Sequence, residues 1–141
     1  MLTLTRLDID DAQVLIAGAR AKAQDIGVPM CIAITDESGN LIAFERMDGG
    51  KITSITLAID KSFTATGIQK GTHVLGEVNQ PGKPAHGISS TLGGRMVAVA
   101  GGLPVVSKGD VVGGIGVSSG SPAQDLEVAE AGVQAFSQAQ S

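Results

Sequence analysis

The side chains best suited to chemistry in this 141-residue sequence are two histidines, one arginine and one lysine. His73 and His86 each carry an imidazole, which exchanges protons near neutral pH and ligates metal ions. Arg46 can fork onto a carboxylate, and Lys61 can exchange a proton where it lies at the edge of a pocket. These residue types together are typical of a site for a small acidic ligand.

Of the two histidines, His86 is preferred because two prolines, Pro81 and Pro84, restrict the backbone of its loop and would hold the imidazole in place. Each candidate also has an ordinary structural explanation. Isolated histidines are common on surfaces, Arg46 can pair with Asp48, and Lys61 can simply be solvated on a helical face of mixed polarity. Further polar residues that could converge on the same cavity are Asp48, Thr91 and Arg95.

A glycine-rich segment, residues 101–120, is expected to frame one wall of the pocket. Gly113, Gly114 and Gly116 fall inside a predicted strand, where glycine marks the close approach of either a ligand or a packed helix. The spacing does not match a dinucleotide-binding fingerprint, because no helix follows directly. Ser118 precedes a helix whose N-terminus favours an anion, so a ligand carboxylate is expected near it.

The elements that must position these residues follow from hydrophobic periodicity and turn chemistry. The first predicted helix is capped by Thr5 and ends at Gly27, and the last begins after Ser121, with Pro122 and Gln124 completing a capping box. Between them the pattern predicts strands 30–35 and 41–44, a helix over 51–70, an irregular segment 71–94 with a short helix around Val74, and strands 96–100, 103–106 and 111–117. The expected fold is α+β, a five-stranded antiparallel sheet with flanking helices.

Composition narrows the class of protein. One domain over residues 1–141 is expected, with a core of small aliphatic side chains, because hydrophobic residues make up 43% of the chain and aromatic ones only 2%. A net charge of -4 without a basic cluster argues against nucleic acid. Cys31 is the single cysteine, which excludes an internal disulfide, and its apolar neighbours predict a buried strand position. The absence of a signal-peptide pattern or long apolar run predicts no membrane partner and a cytoplasmic location.

Several segments carry a resemblance to a known family. The chain resembles the GlcG/HbpS family, which includes haem-binding proteins and the C-terminal domain of PduO-type proteins. The resemblance runs through nearly the whole chain, and its strongest part covers some thirty C-terminal residues. The matching segments are residues 33–36 with Gly39, 41–49, 58–65 around Lys61, 101–104 with Gly109, 111–118, Asp125, 128–129 and 131–132.

The resemblance implies a profilin-like fold and assembly into dimers or larger rings. It also implies a small-ligand-binding protein that binds haem, with His86 or His73 as the iron ligand and otherwise no cofactor. An alternative is a cofactor-independent lyase or dehydratase acting on a small carboxylated or hydroxylated compound, in which Arg46 anchors the substrate and Lys61 or His86 exchanges the proton. A third hypothesis is an assembly module with Phe136 at an interface. The expected ligand-binding residues are Arg46, Asp48, Thr91, Arg95, Gly113, Gly114 and Ser118.

Overall fold

A computed structural model describes residues 1–141 and places four helices around one sheet. In chain order the elements are α1 (Ile9–Ile26), β1 (Cys31–Asp36), β2 (Leu41–Arg46), α2 (Ser54–Ile68), α3 (Thr72–Val78), β3 (Gly102–Ser107), β4 (Asp110–Ser118) and α4 (Pro122–Gln140). Two short 3₁₀ turns, Ile88–Ser90 and Leu92–Gly94, interrupt the irregular segment that follows α3. The α+β class and the short helix near Val74 are confirmed.

The sheet has four antiparallel strands in the order β2-β1-β4-β3, so the prediction of five strands was wrong. Residues 96–100 do not form the predicted fifth strand. Their β-branched residues fit a strand, but their backbone groups form hydrogen bonds with side chains and not with another strand. Val97 N–H donates to the Thr64 hydroxyl at 3.0 Å, and the Thr72 hydroxyl donates to the Val99 carbonyl. A strand needs a neighbouring strand as its hydrogen-bonding partner, and helices α2 and α3 take that place here.

Local signals at three element ends were predicted with different success. Gly27 ends α1 in the left-handed region at φ 71°, and Ser121 caps α4 in a capping box with Gln124, both as expected. The start of α1 was predicted three residues too early, because Asp8 and not Thr5 is the N-cap. Asp8 accepts from the Asp11 N–H at 2.8 Å, and a carboxylate caps as well as a hydroxyl does.

The two faces of the sheet are covered in different ways. Helices α1 and α4 pack on one face over an aliphatic core that includes Ile32, Ile115 and Val117. Helix α2 packs on the other face with its small and polar residues buried, while its Leu57 stays 41% exposed. The polar face of α2, which contains Lys61, is therefore an interior surface.

Cys31 is buried in β1 as a free thiol, as expected. Burial raises the pKa of this thiol, so it stays protonated at neutral pH. None of the helices is both long enough and apolar enough to cross a bilayer.

Candidate functional site

Lys61 lies in the interior of the protein and not at the edge of a pocket. Its side chain comes from α2, is 2% exposed, and donates to the Val117 carbonyl at 3.0 Å and to Asp125 Oδ2 at 2.9 Å. Asp125, which is 3% exposed, also accepts from the Gly120 N–H at 2.9 Å. The ion pair thus joins α2, the end of β4 and the first turn of α4.

Burial raises the pKa of Asp125, and this effect is larger than the opposing effect of the hydrogen bond and charge of Lys61. A carboxylate in this place depends strongly on its cationic partner, because an unpaired buried charge is costly. Asp125 was not among the predicted site residues. The signal that points to it is the position of Lys61 on a helix face of small residues, where a lysine needs an acidic partner if that face is buried.

The N-terminus of α4 was expected to hold a ligand carboxylate, and the structure places the protein's own groups there. The Ser121 hydroxyl accepts from the Gln124 N–H, and Asp125 takes the Gly120 N–H. Ser118 is buried, with its hydroxyl 3.1 Å from that of Ser54 in α2. The Gln124 N–H at the helix end is therefore already bound by Ser121 and not by a ligand.

The glycines of β4 allow a helix to approach the sheet closely. A Cβ on Gly116 would overlap the Ala58 carbonyl oxygen and lie 2.5 Å from the Ser62 nitrogen, and one on Gly114 would lie 2.9 Å from the Ser62 carbonyl oxygen. Gly113 points to the opposite face, where Leu7 fills the space. The atoms beside Gly113 and Gly114 belong to the protein itself. These glycines therefore make room for close packing within the fold and not for a ligand.

His73 lines the largest cavity, an open groove of about 640 Å³ beside α3. Its Nδ1 is the only buried side-chain nitrogen or oxygen without a hydrogen-bond partner. The remaining lining residues are mostly polar: Gly76, Glu77, Val78, Gln80 and Lys83. Of these, Lys83 adds a positive charge that was not singled out from the sequence.

His86 and Thr91 lie on the exposed surface of the segment after α3 and line none of the cavities. The Thr91 hydroxyl donates to the Ile88 carbonyl at 2.6 Å and so stabilises its own turn. Arg95 also has a local role, since its guanidinium stacks 3.8 Å from the Phe63 ring centre and its Nε donates to Asp60 at 3.0 Å. This geometry does not bring the three residues to one pocket.

Arg46 and Asp48 do share a cavity, a second open one of about 440 Å³ at the end of β2. No ion pair joins them, so the structural alternative for Arg46 is not formed and its guanidinium is exposed. This cavity shares no lining residue with the groove of His73. The geometry consequently gives no support to a lyase in which Arg46, Lys61 and His86 act on one substrate.

The chain contains no group of three or more histidine, cysteine, aspartate or glutamate side chains placed to hold a metal ion directly. Porphyrin supplies most of the ligands of its iron, and the protein adds an axial one. A single accessible imidazole is then enough from the protein. The imidazole that lines the largest groove is that of His73.

Comparison with known proteins gives consistent matches. A family model described as haem degrading protein HbpS-like matches residues 7–134. A 15.0 kDa protein from the dhaT-dhaS intergenic region of Citrobacter freundii is 36% identical over 90% of this chain and 89% of its own length. The corrinoid adenosyltransferase PduO of Salmonella typhimurium is 34% identical over 95% of this chain, which corresponds to only 40% of PduO.

Solved structures agree with those matches. Protein ORFY of Klebsiella pneumoniae superposes with a TM-score of 0.95 at 30% identity, covering 97% of this chain and 94% of that protein. The crystal structure of a PduOC–haem complex superposes with a TM-score of 0.89 at 34% identity, covering 93% of this chain and 95% of PduOC. The fold of this chain therefore superposes on experimental structures over nearly its full length.

Proposed function

Because the chain belongs to the HbpS-like family, we propose that it is a haem-binding protein whose iron ligand is His73. The observation that carries the proposal is the position of His73, whose imidazole has no internal hydrogen-bond partner and lines the largest groove. A neutral imidazole nitrogen is the commonest protein ligand of haem iron. The PduOC relative, 34% identical, was solved as a haem complex, which supports the ligand class.

The residues around His73 are suited to contact one edge of a porphyrin and not to enclose the whole ring. Lys83 can pair with a propionate through a charge-assisted hydrogen bond, and Val78 provides the only hydrophobic lining. Glu77, four residues after His73 on α3, would repel a propionate placed beside it. We therefore expect the propionates toward Lys83 and a porphyrin that remains largely exposed to solvent.

Binding in this groove is expected to be weak and reversible. His73 can offer the Nε2 lone pair only as the tautomer that carries its proton on Nδ1, and this buried N–H has no acceptor. An unsatisfied buried donor costs about 1–3 kcal/mol. Histidines that ligate a metal usually donate this second ring proton to a carbonyl or carboxylate, and His73 does not.

Hemin titration of the purified protein, followed by the Soret band, tests the proposal. We expect a shifted Soret band for the wild-type protein and for His86→Ala, because His86 lines no cavity. We expect the shift to be lost, or the Kd to rise about tenfold or more, in His73→Ala, since one iron bond is removed. Lys83→Gln should weaken binding by a few-fold through loss of one exposed charge.

The two histidine variants also separate the alternatives. A Soret shift that survives in His73→Ala and disappears in His86→Ala would assign the iron to His86, as first expected from the prolines in its loop. No shift in the wild-type protein at any hemin concentration would remove the haem proposal altogether. Far-UV circular dichroism of both variants shows that any loss of binding is not a loss of fold.

A further inference from the structure

The cavity at the end of β2, which Arg46 and Asp48 line, has no part in the proposed haem site. It shares no lining residue with the groove of His73. Its volume of about 440 Å³ is within the usual range for small-molecule sites. Five of its six lining residues carry a charged or amide side chain: Arg20, Gln24, Glu45, Arg46 and Asp48. The cavity is therefore suited to a ligand with charged groups.

The charges in this cavity are balanced, but only half of them are paired. Arg20 Nε donates to Glu45 Oε2 at 2.7 Å, and this pair joins α1 to β2. Arg46 and Asp48 are both exposed, and neither takes part in any ion pair of the protein. One free guanidinium and one free carboxylate therefore line the same cavity.

The backbone between these two free charges is anchored. The Met47 N–H donates to the Met30 carbonyl at 3.0 Å, and the Met47 sulfur accepts from the Met30 N–H at 3.4 Å. The Gly50 N–H donates to the Met47 carbonyl at 2.9 Å and closes a turn. Arg46 and Asp48 thus extend from either side of a fixed residue, which lowers the entropy cost of holding one ligand between them.

An apolar cavity adjoins the charged one. It also has a volume of about 440 Å³, and it shares Arg20 and Glu45 with its neighbour. Five of its eight lining residues are hydrophobic: Ile9, Ile16, Ala17, Ala43 and Phe44. A ligand whose charged end lies beside Arg46 and Asp48 can therefore place an apolar group in this second cavity.

We propose that the two cavities together form a site for an α-amino acid with an aliphatic side chain. The ligand carboxylate pairs with Arg46, the ammonium group pairs with Asp48, and the side chain enters the apolar cavity. Charge complementarity selects the zwitterion. A ligand with only a carboxylate would be repelled by Asp48 and Glu45, and a ligand with only an amine would be repelled by Arg20 and Arg46.

Binding at this site is expected to be weak. Arg46 and Asp48 are exposed, and ion pairs that remain in contact with water contribute little free energy. The dissociation constant should therefore be on the order of 1 mM.

Titration of the isotope-labelled protein with L-leucine, followed by the amide shifts in its NMR spectrum, tests the proposal without hemin. Three further compounds each lack one feature of leucine: isocaproate lacks the ammonium group, isoamylamine lacks the carboxylate, and glycine lacks the aliphatic side chain. We expect leucine to shift the amide signals of Arg46, Met47 and Asp48. Its Kd should be lower than that of each other compound by at least about threefold.

Two variants assign the contacts. Arg46→Gln should remove the advantage of leucine over isoamylamine, because the carboxylate loses its cation, and Asp48→Asn should remove the advantage of leucine over isocaproate. The matched control is Lys70→Gln, which removes an exposed charge outside both cavities and should leave the Kd for leucine unchanged. All three positions are exposed, so circular dichroism should show unchanged folds.

The outcome is independent of haem binding, because His73→Ala leaves both cavities intact and should bind leucine as the wild type does. The proposal would be overturned if leucine caused no amide shifts at its highest soluble concentration. It would also be overturned if isocaproate or isoamylamine bound to the wild-type protein as tightly as leucine.

Discussion

Lys61→Met is expected to lower the free energy of unfolding by about 3–5 kcal/mol at neutral pH. The substitution leaves the Asp125 carboxylate buried beside the Gly120 N–H but without the cation that lies 2.9 Å away. Urea unfolding followed by far-UV circular dichroism measures the loss. Fluorescence is unsuitable because the chain has neither Trp nor Tyr.

The loss should depend on pH with a defined sign. Burial raises the pKa of Asp125 above its unfolded value of about 4, so the folded state holds this proton more tightly than the unfolded state does. The contribution of Asp125 to stability therefore falls as the pH rises from the unfolded pKa through the folded pKa. Removing Lys61 removes the two largest effects that lower this pKa, its hydrogen bond and its charge, which raises the pKa further. Protonated Asp125 needs no cation, so the deficit of Lys61→Met should be smaller at pH 5 than at pH 8.

Two controls accompany this measurement. Lys70→Met replaces an exposed lysine and should change stability by no more than about 0.5 kcal/mol. The double variant Lys61→Met with Asp125→Leu removes both charges and should be more stable than Lys61→Met alone, because no unpaired charge remains. If Lys61→Met unfolded at the same urea concentration as Lys70→Met at pH 8, the buried Lys61–Asp125 ion pair would not be needed for stability.

Gly116→Ala is expected to destabilise the protein by about 3 kcal/mol or more, at the upper end of overpacking effects. The added methyl group would overlap the Ala58 carbonyl oxygen and lie 2.5 Å from the Ser62 nitrogen. Both are backbone atoms of α2, so the conflict cannot be relieved by a change of rotamer. The helix would have to move away from the sheet, and the same urea titration measures the cost.

The matched control is the same substitution at Gly67 in α2, where an added Cβ would meet no atom within 4 Å other than the adjacent residues and the backbone of its own helix. Gly67→Ala should stabilise the protein by up to about 1 kcal/mol through helix propensity. The two glycine-to-alanine changes are thus predicted to have opposite signs. A cost below about 1 kcal/mol at Gly116 would show that α2 does not lie directly on β4.

Local structure was predictable where a few neighbouring residues decide it. The turn at Lys108 and Gly109 has both residues at positive φ, as the short connection between two strands requires. The cap at Ser121 needs only Gln124, three residues later. Residues 96–100 show the opposite case. Their composition favours a strand, but only the tertiary structure decides whether a neighbouring strand is available, and here Thr64 and Thr72 bind the backbone instead.

The candidate site was predictable in its residue types and less so in its geometry. Lys61 was placed on the correct helix and on a face of mixed polarity, but that face turned out to be buried. Of the two histidines, the loop prolines favoured His86, whereas the structure places only His73 in a groove. Neither difference could be seen in the spacing, because spacing defines which residues share a face and not what lies against it.

By itself the sequence determined the family resemblance, the helices and four of the strands, and the small-residue surfaces of α2 and β4. These depend on local periodicity, on caps and on the absence of side chains at Gly114 and Gly116. The tertiary structure alone decided that α2 packs with its polar face inward. Because Gly114 and Gly116 lack side chains, the backbone of α2 comes close enough to β4 for Lys61 to reach Asp125, 64 positions away in the chain. Contacts between such distant residues depend on how the elements dock, and no local pattern contains that information.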